Sequence, residues 1–86
     1  MDINEATKLL TEAYHAGKTV KVTFIKADGA ERVMVAKRDK EAEAKLSNAG
    51  RNLNREDKLR VTEVTADGTT QWRTIPFARL INVEVL

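Results

Sequence analysis

The feature that most narrows what this chain can fold into is a repeated Asp-Gly turn. Asp28-Gly29 and Asp67-Gly68 each separate two runs with period-two alternation, the pattern of a hairpin whose strands bury one face. Before the first turn, Val20, Val22 and Phe24 point one way, while Lys21, Thr23 and, less cleanly, Ile25 point the other. After it, Glu31 to Ala36 sets Val33 and Val35 opposite Arg32 and Met34. Around the second turn, Leu59 and Val61 share a face of Lys58–Thr65, and Thr70–Ile75 sets Trp72 and Thr74 against Gln71, Arg73 and Ile75. Pro76 ends that run, because proline cannot donate to a central ladder. Phe77 to Leu80 reads as one tight turn of 3₁₀ type, and Ile81, Val83 and Val85 alternate with Asn82 and Glu84 in a last strand.

The strands are preceded by an amphipathic helix. Ile3, Ala6, Leu9, Leu10, Ala13 and Tyr14 recur at three- and four-residue spacing and make one apolar stripe. Asp2 with Glu5 reads as a capping box, and Gly17 as a left-handed stop. Residues 37–57 lose the strand pattern. Asp39 can cap a short helix through Glu41, Ala42, Ala44 and Leu46, with Glu41 and Lys45 paired across one turn and Gly50 ending it. A polar loop follows, and this insertion is expected to be the most exposed and mobile part of the chain.

Five short strands that must bury one face favour closure into a small barrel, and 86 residues leave room for one core only. The expected fold is mainly β with α: a single five-stranded antiparallel SH3/Sm-like barrel over 1–86. It carries an N-terminal helix (1–17) and a helical insertion between strands 2 and 3 (37–57). The absence of cysteine excludes disulfides, thiolate chemistry and Cys-type zinc sites. No apolar run approaches the roughly 20 residues of a membrane span, and the acidic start Met1-Asp2-Ile3-Asn4-Glu5 is unlike a signal peptide, so a cytoplasmic protein is expected.

The stretch Val22-x-Phe24-x-Lys26-x-Asp28-Gly29-x-x-Arg32-x-Met34 resembles the opening hairpin of small phage proteins of the WYL-like family, which have an Sm-like SH3 β-barrel fold. Trp72-Arg73-Thr74-Ile75 and Arg79-Leu80-Ile81 resemble that family's closing pattern. The resemblance spans residues 20–36 and 58–85, and Ala27 departs from it where a second lysine is common. It implies a phage-type accessory protein working in the host cytoplasm in host takeover or anti-defence. The partner would be a host protein, such as a defence factor or part of the transcription machinery.

Nothing in the residues points to catalysis. His15 is the only histidine and Ser47 the only serine, and no Ser/His/Asp set, metal spacing or phosphate-cradling glycine loop is present. His15 fits a surface residue at a helix C-terminus. A non-enzymatic binding protein without cofactor or metal is expected. Three binding surfaces compete. Residues 37–60 carry eight Lys/Arg against five Asp/Glu, so Lys37, Arg38, Lys40, Arg51, Arg55 and Arg60 could meet nucleic-acid phosphates or an acidic partner, or form a solvated loop. Arg73 and Arg79, with Trp72, could instead hold a small anionic nucleotide between subunits, or Trp72 could be core packing with Arg73 outside. Finally, the last strand carries no cluster of blunting charges, which invites a homo-oligomer or a captured strand through β-edge pairing.

Overall fold

The computed structural model describes residues 1–45 and 57–86. Helix α1 (Ile3–His15) is followed by strands β1 (Val20–Ile25) and β2 (Glu31–Ala36), helix α2 (Lys40–Ala44), and strands β3 (Lys58–Val64) and β4 (Thr70–Pro76). A 3₁₀ turn (Phe77–Arg79) then leads into β5 (Leu80–Val85). Among the described residues no helix is long and apolar enough to cross a membrane.

The N-terminus of α1 is capped by Asp2, whose Oδ1 accepts the Asn4 N–H at 3.2 Å; the reciprocal Glu5 arm of the expected box is not made. At the other end Gly17 has φ +83°, the Lys18 N–H reaches the Ala13 carbonyl at 3.0 Å, and the Gly17 N–H reaches that of Tyr14. This paired closure is why the helix stops where glycine can turn left-handed. Ala6, Leu10, Ala13 and Tyr14 are buried, whereas Ile3, expected in the stripe, is 44% exposed at the first residue of the helix.

Both Asp-Gly turns close hairpins in one way. The Gly29 N–H bonds the Lys26 carbonyl at 2.9 Å, the Lys26 N–H bonds Ala30 at 2.8 Å, and Gly29 sits at φ +88°. Gly68 repeats the arrangement with Thr65 and Thr69 at φ +85°. A left-handed glycine completing a three-residue loop is what an Asp-Gly pair supplies here.

The strands form one antiparallel sheet in the order β4-β3-β2-β1-β5. The expected closure is not made as a hydrogen-bonded seam: β4 and β5 are the two edges of an open sheet. A 3₁₀ turn of three residues separates them, and Pro76 at the end of β4 lacks an N–H to offer a further strand. Even so, inward residues from every strand share one core with α1: Val20, Val22, Met34, Leu59, Ile75 and Val83 are all buried in it. Between the candidate faces of β2, burial chooses Met34 and Ala36 and leaves Val33 52% exposed. Tyr14 locks α1 to the sheet. Its hydroxyl accepts the Thr62 N–H at 3.0 Å and lies 3.3 Å from Thr62 Oγ1, which donates in turn to the Lys37 carbonyl.

Within the insertion, Asp39 caps α2 through the N–H groups of Glu41 and Ala42. The helix closes at Ala44, shorter than its spacing suggested, and the partner of Glu43 is Arg38; the expected Glu41–Lys45 pair is not formed. Leu46, Gly50 and the rest of 46–56 lie outside the described residues.

Candidate functional site

The sheet is continuous within each hairpin but barely joined between them. β1 pairs β2 along its whole length and β3 pairs β4 from Lys58 to Val64, yet the β2–β3 ladder is the single pair Ala36↔Glu63. Beyond that pair the hairpins diverge, and a cleft of about 260 Å³ opens between the β1–β2 turn and the β4–3₁₀ corner. That volume lies just below the usual range for small-ligand sites, roughly 300–1,000 Å³.

Strand parity decides what enters the cleft. Phe24 pairs with Arg32, Val22 with Met34 and Val61 with Arg73, so these side chains share the inward face. Phe24 and Met34 are buried and give the cleft an apolar floor, with Pro76 on the opposite wall. Arg32, Arg73, Arg79 and Lys26 line it as well. The cations thus come from four stretches: the first turn, β2, β4 and the 3₁₀ turn.

Two of these cations are anchored by one carboxylate. Arg32 Nη2 donates to both oxygens of Glu63 at 2.7 Å, and Arg73 Nε stands 3.2 Å from Glu63 Oε1. The Glu63 side chain is only 13% exposed, so the carboxylate needs these partners to be tolerated there. Arg73 is further fixed: Nη1 donates to the Trp72 carbonyl at 3.0 Å and Nη2 to Gln71 Oε1 at 2.6 Å. With all three nitrogens engaged, Arg73 is a held positive charge. Arg79 is exposed and, among the described residues, makes no ion pair or hydrogen bond; Lys26 lies 3.8 Å from Asp28 in an exposed contact. The Ala30 N–H and the Lys26 ammonium hold the Asp28 carboxyl below its usual range, so it remains an anion at neutral pH. Counting the lining cations Lys26, Arg32, Arg73 and Arg79 against the carboxylates that pair with them from outside the lining, Glu63 and Asp28, leaves a surplus of two positive charges. Such a site can hold an anion by charge-assisted hydrogen bonds above an apolar floor.

The sequence-derived candidates divide sharply. Arg73 and Arg79 do meet, in the cleft. Trp72 faces away from it: it pairs with Thr62 on the opposite face of β4, is half-buried rather than core, and lies under Arg60, whose guanidinium carbon is 4.9 Å from the ring centroid. Of the two readings of Trp72, a ligand contact beside Arg73 and Arg79 or core packing, its face gives neither: it lies on the outer face, because the inward positions of β4 belong to Ile75 and Arg73. Of the basic stretch, Arg38 is committed to structure, bonding Glu43 at 2.7 and 3.2 Å and the His15 carbonyl at 2.9 Å. Lys37 and Lys40 are exposed, and Arg51 and Arg55 lie outside the described residues. His15 is exposed at the end of α1, its ring edge-on to Tyr14 at 6.2 Å. No group of three or more His, Cys, Asp or Glu suited to a metal occurs among the described residues.

Lys26 and Arg32, which line the cleft, and Glu63, which pairs with its arginines, are the residues that reasoning from the sequence did not select. A signal for Arg32 was present: it lies two residues before Met34 and therefore shares its face. No protein-family model matches the chain, and no curated protein or solved structure matches it either.

Proposed function

We propose that this chain is a non-enzymatic binding module that takes a compact anionic ligand of nucleotide type in the cleft between its hairpins. The observation that carries the reading is the convergence of Lys26, Arg32, Arg73 and Arg79 on one small pocket with an apolar floor. The same residues, with Phe24 and Met34, carry the resemblance to small WYL-like phage proteins. That agreement supports an accessory role in an infected cell's cytoplasm and a sheet of SH3/Sm-like barrel kind, curled around one core rather than sealed.

The test is thermal unfolding with increasing adenosine 5′-monophosphate. Binding to the folded state adds RT ln(1 + [L]/Kd), about 2.7 kcal/mol at a hundredfold excess over Kd. Arg79→Ala removes the exposed guanidinium and weakens binding about tenfold, the scale of one hydrogen bond to a charged group. The absence of stabilisation at millimolar nucleotide refutes the reading.

A second reading has its own observation. Arg60 stacked on the half-exposed Trp72 makes a cationic, aromatic patch on the outer face of β3–β4, the combination that single-stranded nucleic acid or a host protein can use. The open edges β4 and β5 add places where a second copy or a partner strand could pair. A mass increase with a short oligonucleotide that shrinks steeply with salt and is lost in Trp72→Ala favours this surface.

A further inference from the structure

Two of the cleft's cations already share an anion. Glu63, on β3 behind the lining, bridges Arg32 and Arg73. We infer that Glu63 is a resident counter-ion that competes with the ligand for Arg32 and lowers its affinity, and that the surplus of two positive charges it leaves makes the site bind a dianionic terminal phosphate more tightly than a singly charged phosphodiester. The inference rests on the cleft reading above.

Three observations carry it. First, the Arg32–Glu63 contact is made through one nitrogen. Nη2 serves both carboxylate oxygens at 2.7 Å, whereas a fork-to-fork pair would use two nitrogens. Nε and Nη1 of Arg32 have no acceptor among the described residues, so the guanidinium can turn toward a ligand without losing a full bidentate pair. Second, Arg73 cannot turn in the same way, because the Trp72 carbonyl and Gln71 hold its other nitrogens. The two arginines therefore divide the work: Arg73 keeps Glu63 in place, and Arg32 is shared between Glu63 and the ligand. Third, the charge surplus of the cleft is two, from the four cations less Glu63 and Asp28. A phosphomonoester near neutral pH brings close to two negative charges, since its second ionisation lies near pH 6. It offsets the surplus while Glu63 stays in place. A phosphodiester or a carboxylate brings one charge, equals Glu63 in charge, and has no electrostatic advantage over it.

The experiment compares adenosine 5′-monophosphate with adenosine 3′,5′-cyclic monophosphate by calorimetric titration, on the wild-type chain and on Glu63→Gln. Wild type binds the monoester at least about tenfold more tightly than the cyclic diester. Glu63→Gln keeps the side-chain shape and removes one negative charge from beside the ligand. For charges about 6 Å apart at an effective dielectric of about 40, that tightens diester binding about tenfold and monoester binding, with close to two charges, about a hundredfold. Glu63→Met, an apolar variant of similar length, gives the same direction and replaces Glu63→Gln if the latter does not fold. If wild type binds but the variants bind equally or more weakly, Glu63 merely props the arginines and the inference is overturned, with the cleft reading intact. If neither wild type nor variant binds either nucleotide, the cleft reading itself falls and takes the inference with it.

Discussion

Replacing Tyr14 by Phe should cost this domain about 2 kcal/mol, far more than loss of one hydroxyl at a surface. The phenol oxygen accepts the Thr62 N–H at 3.0 Å and contacts Thr62 Oγ1 at 3.3 Å, and both residues are fully buried. Thr62 lies in β3, where the N–H would ordinarily bond a neighbouring strand; here a helix side chain takes it. Without the hydroxyl, that N–H faces a dry interior with no acceptor. A buried donor left unsatisfied costs about 1–3 kcal/mol, more than the ~1 kcal/mol net value of an ordinary hydrogen bond. For a domain of this size each kcal/mol lowers Tm by roughly 4–8 °C, so the expected fall is roughly 8–16 °C by calorimetry, with the same loss in urea. The contact also has a pH signature. Burial, opposed in part by the bonds to Thr62, raises the Tyr14 pKa above 10.0. The folded state therefore favours the neutral phenol. That stability is fully present below pH 10, the unfolded value, and is lost as pH rises through the higher folded value. Tyr14→Phe should abolish that alkaline component while lowering the neutral-pH plateau. A cost below about 0.5 kcal/mol would mean that α1 is held by apolar packing alone, and the account of Tyr14 as the lock would fail.

Two further outcomes concern the hairpins. Asp67 accepts from the Thr65 and Thr69 hydroxyls and from the Thr69 N–H, in that order of effect, and its pKa is lowered to about 2. A depressed carboxyl stabilises the folded state above its unfolded pKa near 4, and that contribution is lost as pH falls through about 2. Acid titration of Asp67→Asn should lack this component; an unchanged profile would show that the turn does not depend on the charge. Gly29→Ala meets no atom within 4 Å but forces a Cβ into φ +88°, so it should cost about 1–2 kcal/mol through backbone strain alone. A neutral result would show that the turn relaxes to another type.

The elements were legible because each rests on local chemistry. Gly17, Asp28-Gly29 and Asp67-Gly68 place the ends of α1 and the two hairpins, and the period-two runs place the strands. What local chemistry does not encode is how the two hairpins meet. Their junction is one ladder pair, Ala36↔Glu63, and neither residue advertises it. The open sheet could not be read from strands that only signalled a need for cover. Trp72 shows the same limit. Aromatic character argued for burial, but facing positions on β4 are set by Ile75 against Leu59, and that register sends Trp72 to the outside.

The cleft was hidden for a related reason, and the reason says something about how such a site is built. An inward arginine breaks the alternation that marks a strand's buried face, so Arg32 and Arg73 read as solvent-facing in any scheme that assigns the inside to apolar residues. Their inward placement is tolerable only because the hairpins diverge, leaving the cleft open, and because Glu63 offsets part of their charge. Closing the gap with full β2–β3 pairing would have yielded a drier core and no place for an anion. The short ladder and the three-residue ion cluster are thus one feature: the incomplete pairing leaves room for the polar inner face, and Glu63 offsets part of its charge. Restoring the apolar alternation should therefore give the opposite phenotype to a damaging mutation. Arg32→Leu with Glu63→Leu and Arg73→Leu should leave the domain as stable as before or more so, as buried ion clusters replaced by packed hydrophobes often do, while removing nucleotide binding. Loss of stability by several kcal/mol in that triple variant would show instead that the cluster holds the fold, and that its role as a binding site is secondary.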